Sequence, residues 1–219
     1  MVVTDGIEPI SFEEGDDHHE GEEHAEDEHE DHAEAEGHDH HDHDTFDPHA
    51  WQSLGHAVAY VGNITAALAK ADPANAADFH QNRADYVDEI EALDEEIRNM
   101  VASLPADRRT IATSHDAFQY FGRNYGLTFL APQGLSTESE ASAQDVAGLI
   151  ERISDDGISA VFVENITDRR LFEQVANETG ATIGGMLYPG ALSDPDGPAP
   201  TYLDMMRHNA ATLAQALNS

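Results

Sequence analysis

The chain has 219 residues, no cysteine and a formal charge of −34, from 44 acidic against 10 basic side chains. Without cysteine it has neither disulfides nor thiolate metal ligands. With so few bases it has little to neutralise phosphate, which argues against nucleic acid and anionic membrane surfaces as partners and leaves metal cations as the natural counter-charge.

In chain order, residues 1–10, MVVTDGIEPI, lack the basic start and apolar core of a secretion signal. Val2-Val3-Thr4 reads as the end of a strand running into a loop, so the chain is expected to begin inside a longer protein. No stretch approaches the ~20 apolar residues of a membrane-spanning helix. Residues 11–44 carry nine His and 17 Asp or Glu with almost no large apolar group, and the first base of the chain is Lys70. Such a segment buries too little surface to offset its ordering entropy, so it is expected to be disordered without metal. Its histidines, His18, His19, His24, His29, His32, His38, His40, His41 and His43, stand among carboxylates. That mixture suits weak, fast-exchanging metal capture; the bland alternative is a solvated acidic linker.

From Asp47 the pattern turns helical, with Leu54, Val58, Val61, Ile64, Ala67 and Leu68 at three- and four-residue steps. Asp72-Pro73 ends that helix, and Pro73 suits the first turn of the next. The second helix runs to about Ser103 with Phe79, Tyr86, Ile90, Leu93, Ile97 and Met100 in helical period. At 1.5 Å per residue it spans roughly 45 Å, the length of a strut. After Leu104-Pro105 strands and helices alternate: strands at 110–113, 127–130, 160–163 and 182–186, helices at 116–125, 142–155, 168–179 and 201–217. Alternation of this kind predicts an α/β fold with a mainly parallel sheet flanked by helices.

Three side chains stand where such a sheet places its chemistry. His49 follows Asp47-Pro48 at an expected helix start; His115 lies between strand 110–113 and a helix opening at Asp116, with Ser114 as N-cap; Asp194 lies in the loop after strand 182–186. The carboxyl ends of parallel strands face the ligand crevice, so His115 and Asp194 should share a rim that His49 can complete. The positive end of a helix dipole disfavours imidazolium and keeps the ring available to a metal. Two imidazoles and a carboxylate suit Zn²⁺, whereas Mn²⁺ prefers more oxygen. Asp196 is the rival to Asp194, and Glu164, at a strand end, is a candidate to orient a ligand histidine or to cap. His56, His80 and His208 read as surface or satisfied histidines. Three ligands with an open position is also the pattern of catalytic zinc, but there is no H-E-x-x-H helix and no placed general base, so no enzyme activity is expected.

The segments DPHAW (47–51), TSHDAFQYFGRNYGL (113–127), AVFVEN (160–165) and LSDPDGPAPTYLDMMRHN (192–209) resemble the zinc/manganese solute-binding proteins of bacterial ABC importers. The likeness covers about 47–219 and is nearest to the zinc-binding branch, whose members often carry a His-rich loop before the DPH motif. It implies two α/β lobes joined by a long rigid helix, with metal held between them. The divisions implied are a remnant of the first lobe (1–14), which is incomplete here, the metal-collecting loop (15–44), a first-lobe helix (45–72), the connecting helix (73–104) and the second lobe (105–219). Carried over, His49, His115 and Asp194 are metal ligands, and His rather than Glu at 115 points to Zn²⁺ over Mn²⁺. The resemblance further implies a monomer outside the cytoplasmic membrane, periplasmic or at the cell surface. Its partner would be the importer's membrane permease, with a periplasmic zinc chaperone as a further candidate.

Overall fold

Four short strands set the frame of the computed structural model, which describes residues 2–12, 45–132, 134 and 141–218. The expected metal-collecting tract and its nine histidines lie outside the described residues. A small antiparallel pair, β1 (Ser11–Phe12) with β2 (Thr45–Phe46), comes first and brings the two flanks of that tract together. Helices α1 (Leu54–Ala71) and α2 (Ala76–Ala102) follow as an antiparallel hairpin. Then come β3 (Thr110–Ala112), α3 (Gln119–Tyr125), β4 (Thr128–Leu130), α4 (Ala143–Asp155), β5 (Ala160–Glu164), α5 (Arg169–Thr179), β6 (Thr182–Leu187) and α6 (Tyr202–Leu217). Strands β3 to β6 form one parallel sheet in the order β4-β3-β5-β6, with helices on both faces, as the alternation predicts.

The two-residue period of the strands sorts the core. Ile111, Phe129, Ala160 and Phe162 face α1, α2, α3 and α6, where they meet Leu54, Ile90, Leu93, Ile97, Phe121 and Leu213. Their neighbours Ala112, Leu130, Val161 and Val163 face α4 and α5, against Leu149, Ile153, Phe172 and Val175. All five residues of β5 are buried, so its apolar run reflects coverage on both sides. The helices start on polar caps: Ser142 and Asp145 form a reciprocal capping box on α4, Asp168 accepts from Arg170 N on α5, and Thr201 accepts from Asp204 N on α6. In β6 the pairing shifts by one residue between Ile183 and Gly185, leaving Gly184 as a bulge. A Cβ on Gly184 would lie 2.6 Å from the Phe162 ring and 2.8 Å from the Ala216 methyl. A bare backbone there is what lets α6 approach the sheet.

Three expectations change in detail. The long helix begins at Ala76, after a one-turn 3-10 helix at Pro73–Asn75, and its second half is packed through Ile90, Leu93, Ile97 and Val101 against the sheet-side core. Helix α3 opens at Gln119, not Asp116, so Ser114 caps nothing and His115 sits in a loop. His49 precedes only a 3-10 turn, Ala50–Gln52, while α1 starts at Leu54 with Ser53 as its cap. Pattern reading places an amphipathic face well but not its first turn, because the residues preceding each helix are here tied up in other hydrogen bonds.

Candidate metal centre

The topology creates a crevice before any side chain is considered. Neighbouring strands β3 and β5 send their following helices to opposite faces, α3 into the core with α2 and α6, α5 into the core with α4. Their connections therefore diverge at the carboxyl edge, which is where open α/β sheets bind ligands. His115 lies in the loop after β3, and Glu164 is the last residue of β5. His49 is delivered to the same place by the turn after β2. The two rings sit edge to face with centroids 5.3 Å apart.

Each imidazole is held from behind by a carboxylate. Asp47 Oδ1 accepts from the His49 main-chain N–H at 2.8 Å and lies 2.8 Å from His49 Nδ1. Glu164 Oε2 is in hydrogen-bond contact with His115 Nδ1, while Oε1 accepts from Ser114 N at 2.9 Å and His115 N at 3.1 Å. A carboxylate only accepts, so a neutral imidazole so held carries its proton on Nδ1 and its lone pair on Nε2. Fixing the tautomer through the far nitrogen is the usual way a protein prepares histidine for a metal. All four groups are buried: Asp47 is 3%, His49 7%, His115 2% and Glu164 1% exposed. Among the described residues neither carboxylate meets Lys or Arg, and Asp47 Oδ2 has no hydrogen-bond partner at all. Buried acid without a cationic partner is costly and favours uptake of a positive ion nearby.

Asp116 belongs to the same neighbourhood. Burial pushes its carboxyl above the ordinary carboxylate value; the hydrogen bond from Gln119 Nε2, at 2.5 Å, pulls it back, Asp47 pushes it up again, and His49 and His115 draw it down.

Asp194 stands apart from this arrangement. It is exposed, in a turn whose main-chain oxygen accepts from Gly197 N at 2.8 Å and Ser193 Oγ at 2.9 Å, and Asp196 is exposed beside it. Among the described residues no three His, Asp or Glu side chains gather into a group able to hold an ion as they stand. The base of the same loop is nonetheless fastened to the His49 turn. Pro189 O accepts from both Trp51 Nε1 at 2.8 Å and Gln52 Nε2 at 2.6 Å, and Tyr202 Oη donates to Trp51 O at 2.7 Å. Trp51 also packs its edge near the His49 ring, with centroids 5.3 Å apart.

Residues 1–216 match the family described as ZnuA, zinc-uptake complex component A, periplasmic. The chain belongs to this family. It is 38% identical over 178 residues to the manganese-binding lipoprotein MntA of Bacillus subtilis, covering 79% of this chain and 58% of the relative. It is 36% identical over 169 residues to the iron-binding protein YfeA of Yersinia pestis, covering 77% and 54%. The solved structure of the periplasmic zinc-binding protein TroA of Treponema pallidum superposes with a TM-score of 0.75 at 34% identity, covering 78% of this chain and 64% of that one. The chain thus spans little more than half the length of these curated relatives. Their names carry three different metals, so membership of the ZnuA family leaves the ion open.

Within this ZnuA-family chain, two groups escaped the sequence reading. In the sequence Asp47 marks only the spacing before His49, although an acid two residues ahead of a histidine across a proline is placed to reach its Nδ1. Gln52, fully buried and bonded to the β6 loop, carried no signal, because a lone Gln in a helical pattern reads as solvent-facing. The helix-dipole argument for neutral imidazoles gives way to the two carboxylates, since neither His49 nor His115 begins an α-helix.

Proposed function

We propose that this chain is the metal-holding part of an extracytoplasmic solute-binding protein that captures Zn²⁺ and hands it to the membrane permease of an ABC importer. The observation that carries this reading is the His49–His115 pair, with each Nδ1 on a buried carboxylate and each Nε2 left for an ion. The names of the relatives, which describe zinc-, manganese- and iron-binding proteins, support the class of cargo. Two imidazole donors favour zinc over manganese within that class. His49 and His115 are the ligands proposed from the sequence; Asp194, the third, would have to come in from its exposed turn. The tract at 15–44 gathers ions loosely, and the buried pair holds one tightly. Among the described residues no helix is long and apolar enough to cross a membrane.

The test is Zn²⁺ binding to the full chain in competition with a chromophoric chelator. One tight site per molecule is expected above weaker binding by the tract. His49→Ala or His115→Ala should remove the tight site and spare the weak ones, while deletion of 15–44 should do the reverse. Because Zn²⁺ outranks Mn²⁺ at almost any nitrogen site, selectivity is read from Mn²⁺ failing to displace Zn²⁺ at roughly 100-fold excess or beyond. Tight binding that survives both histidine substitutions rejects the reading.

A further inference from the structure

We propose that Tyr120 is a positioning residue for the His49 half of the site, its hydroxyl holding the Asp47 peptide so that the Asp47 carboxylate stays on the His49 ring. The inference rests on the metal-binding reading above and deepens it by naming what sets one imidazole in place relative to the other. In the β1–β2 ribbon Ser11 faces Phe46 and Phe12 faces Thr45, so the next pair along is Ile10 with Asp47. A hydrogen-bonded pair in an antiparallel ladder exchanges two main-chain bonds. Here Asp47 N donates directly to Ile10 O at 2.9 Å, but the return bond passes through a side chain. Ile10 N donates to Tyr120 Oη at 2.9 Å, and that hydroxyl donates in turn to Asp47 O at 3.1 Å. The hydroxyl is thus spliced into the ladder at the residue whose carboxylate orients His49.

Tyr120 is well placed to fix a position. It is 2% exposed and belongs to α3, which follows His115 by a short loop. Asp47 lies two residues before His49, so one hydroxyl joins the segment that carries His115 to the segment that carries His49. Asp47 is left little freedom: Ile10 holds its amide, Tyr120 holds its carbonyl, and Oδ1 meets His49 N and Nδ1 at 2.8 Å each. The far end of the same turn is held too. His56 Nδ1 lies 3.2 Å from Ala50 O, and its ring packs edge to face on Tyr120 with centroids 5.3 Å apart. Burial pushes the Tyr120 phenol above its ordinary value, more than the bond from Ile10 N pulls it down, so the hydroxyl keeps the proton it donates to Asp47 O. Filling the core needs only the ring; both bonds of the hydroxyl go to the two strands that enter the site.

The experiment is Tyr120→Phe in the full chain, read by Zn²⁺ affinity in chelator competition, by imidazole ¹⁵N shifts of the ion-free protein and by thermal unfolding. The ring stays, so the core stays filled. The Ile10 amide and the Asp47 carbonyl lose their bridge, and Asp47 is freed to move from His49. Affinity at the tight site should fall about three- to ten-fold, less than the roughly 10- to 100-fold loss on removing a group that bonds a ligand directly. The signature is one-sided: the His49 ring nitrogens should shift toward a mixture of tautomers, while those of His115, held by Glu164, should stay as in wild type. Wild-type affinity or an unchanged His49 ring, with His49→Ala still abolishing tight binding, overturns the role of Tyr120 alone. So does a general loosening, in which the thermal midpoint falls well below wild type and both histidines shift alike. Unchanged affinity in both His49→Ala and His115→Ala overturns the underlying site and this inference with it.

Discussion

Replacing Glu164 by Gln isolates what the buried carboxylate does for His115. The side chain keeps its shape, and its remaining oxygen can still accept from Ser114 N and His115 N as Oε1 does now. The other end becomes an NH₂ group facing His115 Nδ1. An amide donates where the carboxylate accepted, so the ring proton moves to Nε2, the nitrogen proposed to bind the ion. Recovering the useful tautomer means losing the hydrogen bond between amide and Nδ1, at about 1–3 kcal/mol for a buried polar group left without its partner. At 1.4 kcal/mol per factor of ten, that is roughly a ten- to hundred-fold loss of affinity. Flipping the amide instead sets NH₂ against two main-chain N–H groups and forfeits two such bonds, so it offers no cheaper escape. Glu164→Ala differs in kind: it strands three buried donors at about 1–3 kcal/mol each, a large share of a domain's whole stability. The assay is chelator competition with Zn²⁺, alongside imidazole ¹⁵N shifts, which report the tautomer, and thermal unfolding. Glu164→Gln should keep the fold, weaken binding and show the Nε2–H tautomer of His115. Wild-type affinity with the Nδ1–H tautomer retained refutes the reasoning, since it means that something other than Glu164 orients the ring.

Further outcomes follow from the packing. Gly184→Ala puts a methyl 2.6 Å from the Phe162 ring and 2.8 Å from Ala216, and should cost about 1–3 kcal/mol in urea unfolding as an overpacked core. Leu213→Ala empties a fully buried position where α6 meets the sheet, and should cost about 2–5 kcal/mol by the same measurement. Burial raises the phenols of Tyr125 and Tyr202, and Asp94 raises Tyr125 further by accepting its hydroxyl hydrogen bond at 2.7 Å. The unfolded chain therefore ionises first: stability is intact below pH ~10 and falls above it, by up to about 1.4 kcal/mol per pH unit for each tyrosine. Tyr125→Phe should flatten that alkaline limb, and an unchanged slope in the variant counts against this origin.

What could be read from sequence divides along physical lines. Strands β3 to β6 and the helices between them follow from periodicity and polar punctuation, and their order survives in the structure to within a few residues. The site was legible as far as residue type and strand end: His49 and His115 do converge, because both precede helices whose apolar faces pack into one core. Their orientation was not legible. It depends on Asp47, two residues from its histidine, and on Glu164, which reaches His115 across 49 residues through a β3–β5 pairing. A contact that distant is specified by sheet order, and sheet order is not written in any local pattern. Asp194 shows another limit: the pattern places it in the loop after β6, but its exposure in the Ser-Asp-Pro-Asp-Gly turn is not written in that pattern.

In the proposed role, the pair of oriented imidazoles would account for holding a divalent ion but not for a choice among ions, and here the physics of the site bears on the three metals named among the relatives. Binding through two nitrogens ranks Mn²⁺ below Fe²⁺, with Zn²⁺ tighter than Mn²⁺, whatever the protein does. Selection against that order has to come from the remaining positions, where more oxygens and a larger coordination number favour manganese and a closed tetrahedron favours zinc. In the proposed site those positions would fall to the loop after β6, whose base is tied to the His49 turn through Pro189 O. Moving the outer part of the loop after β6 would change how many oxygens arrive without moving the 113–118 segment, which Glu164 holds through Ser114 N, His115 N and the His115 ring. On the proposed reading, affinity would rest on the carboxylates buried behind the two imidazoles and selectivity on the loop at the rim.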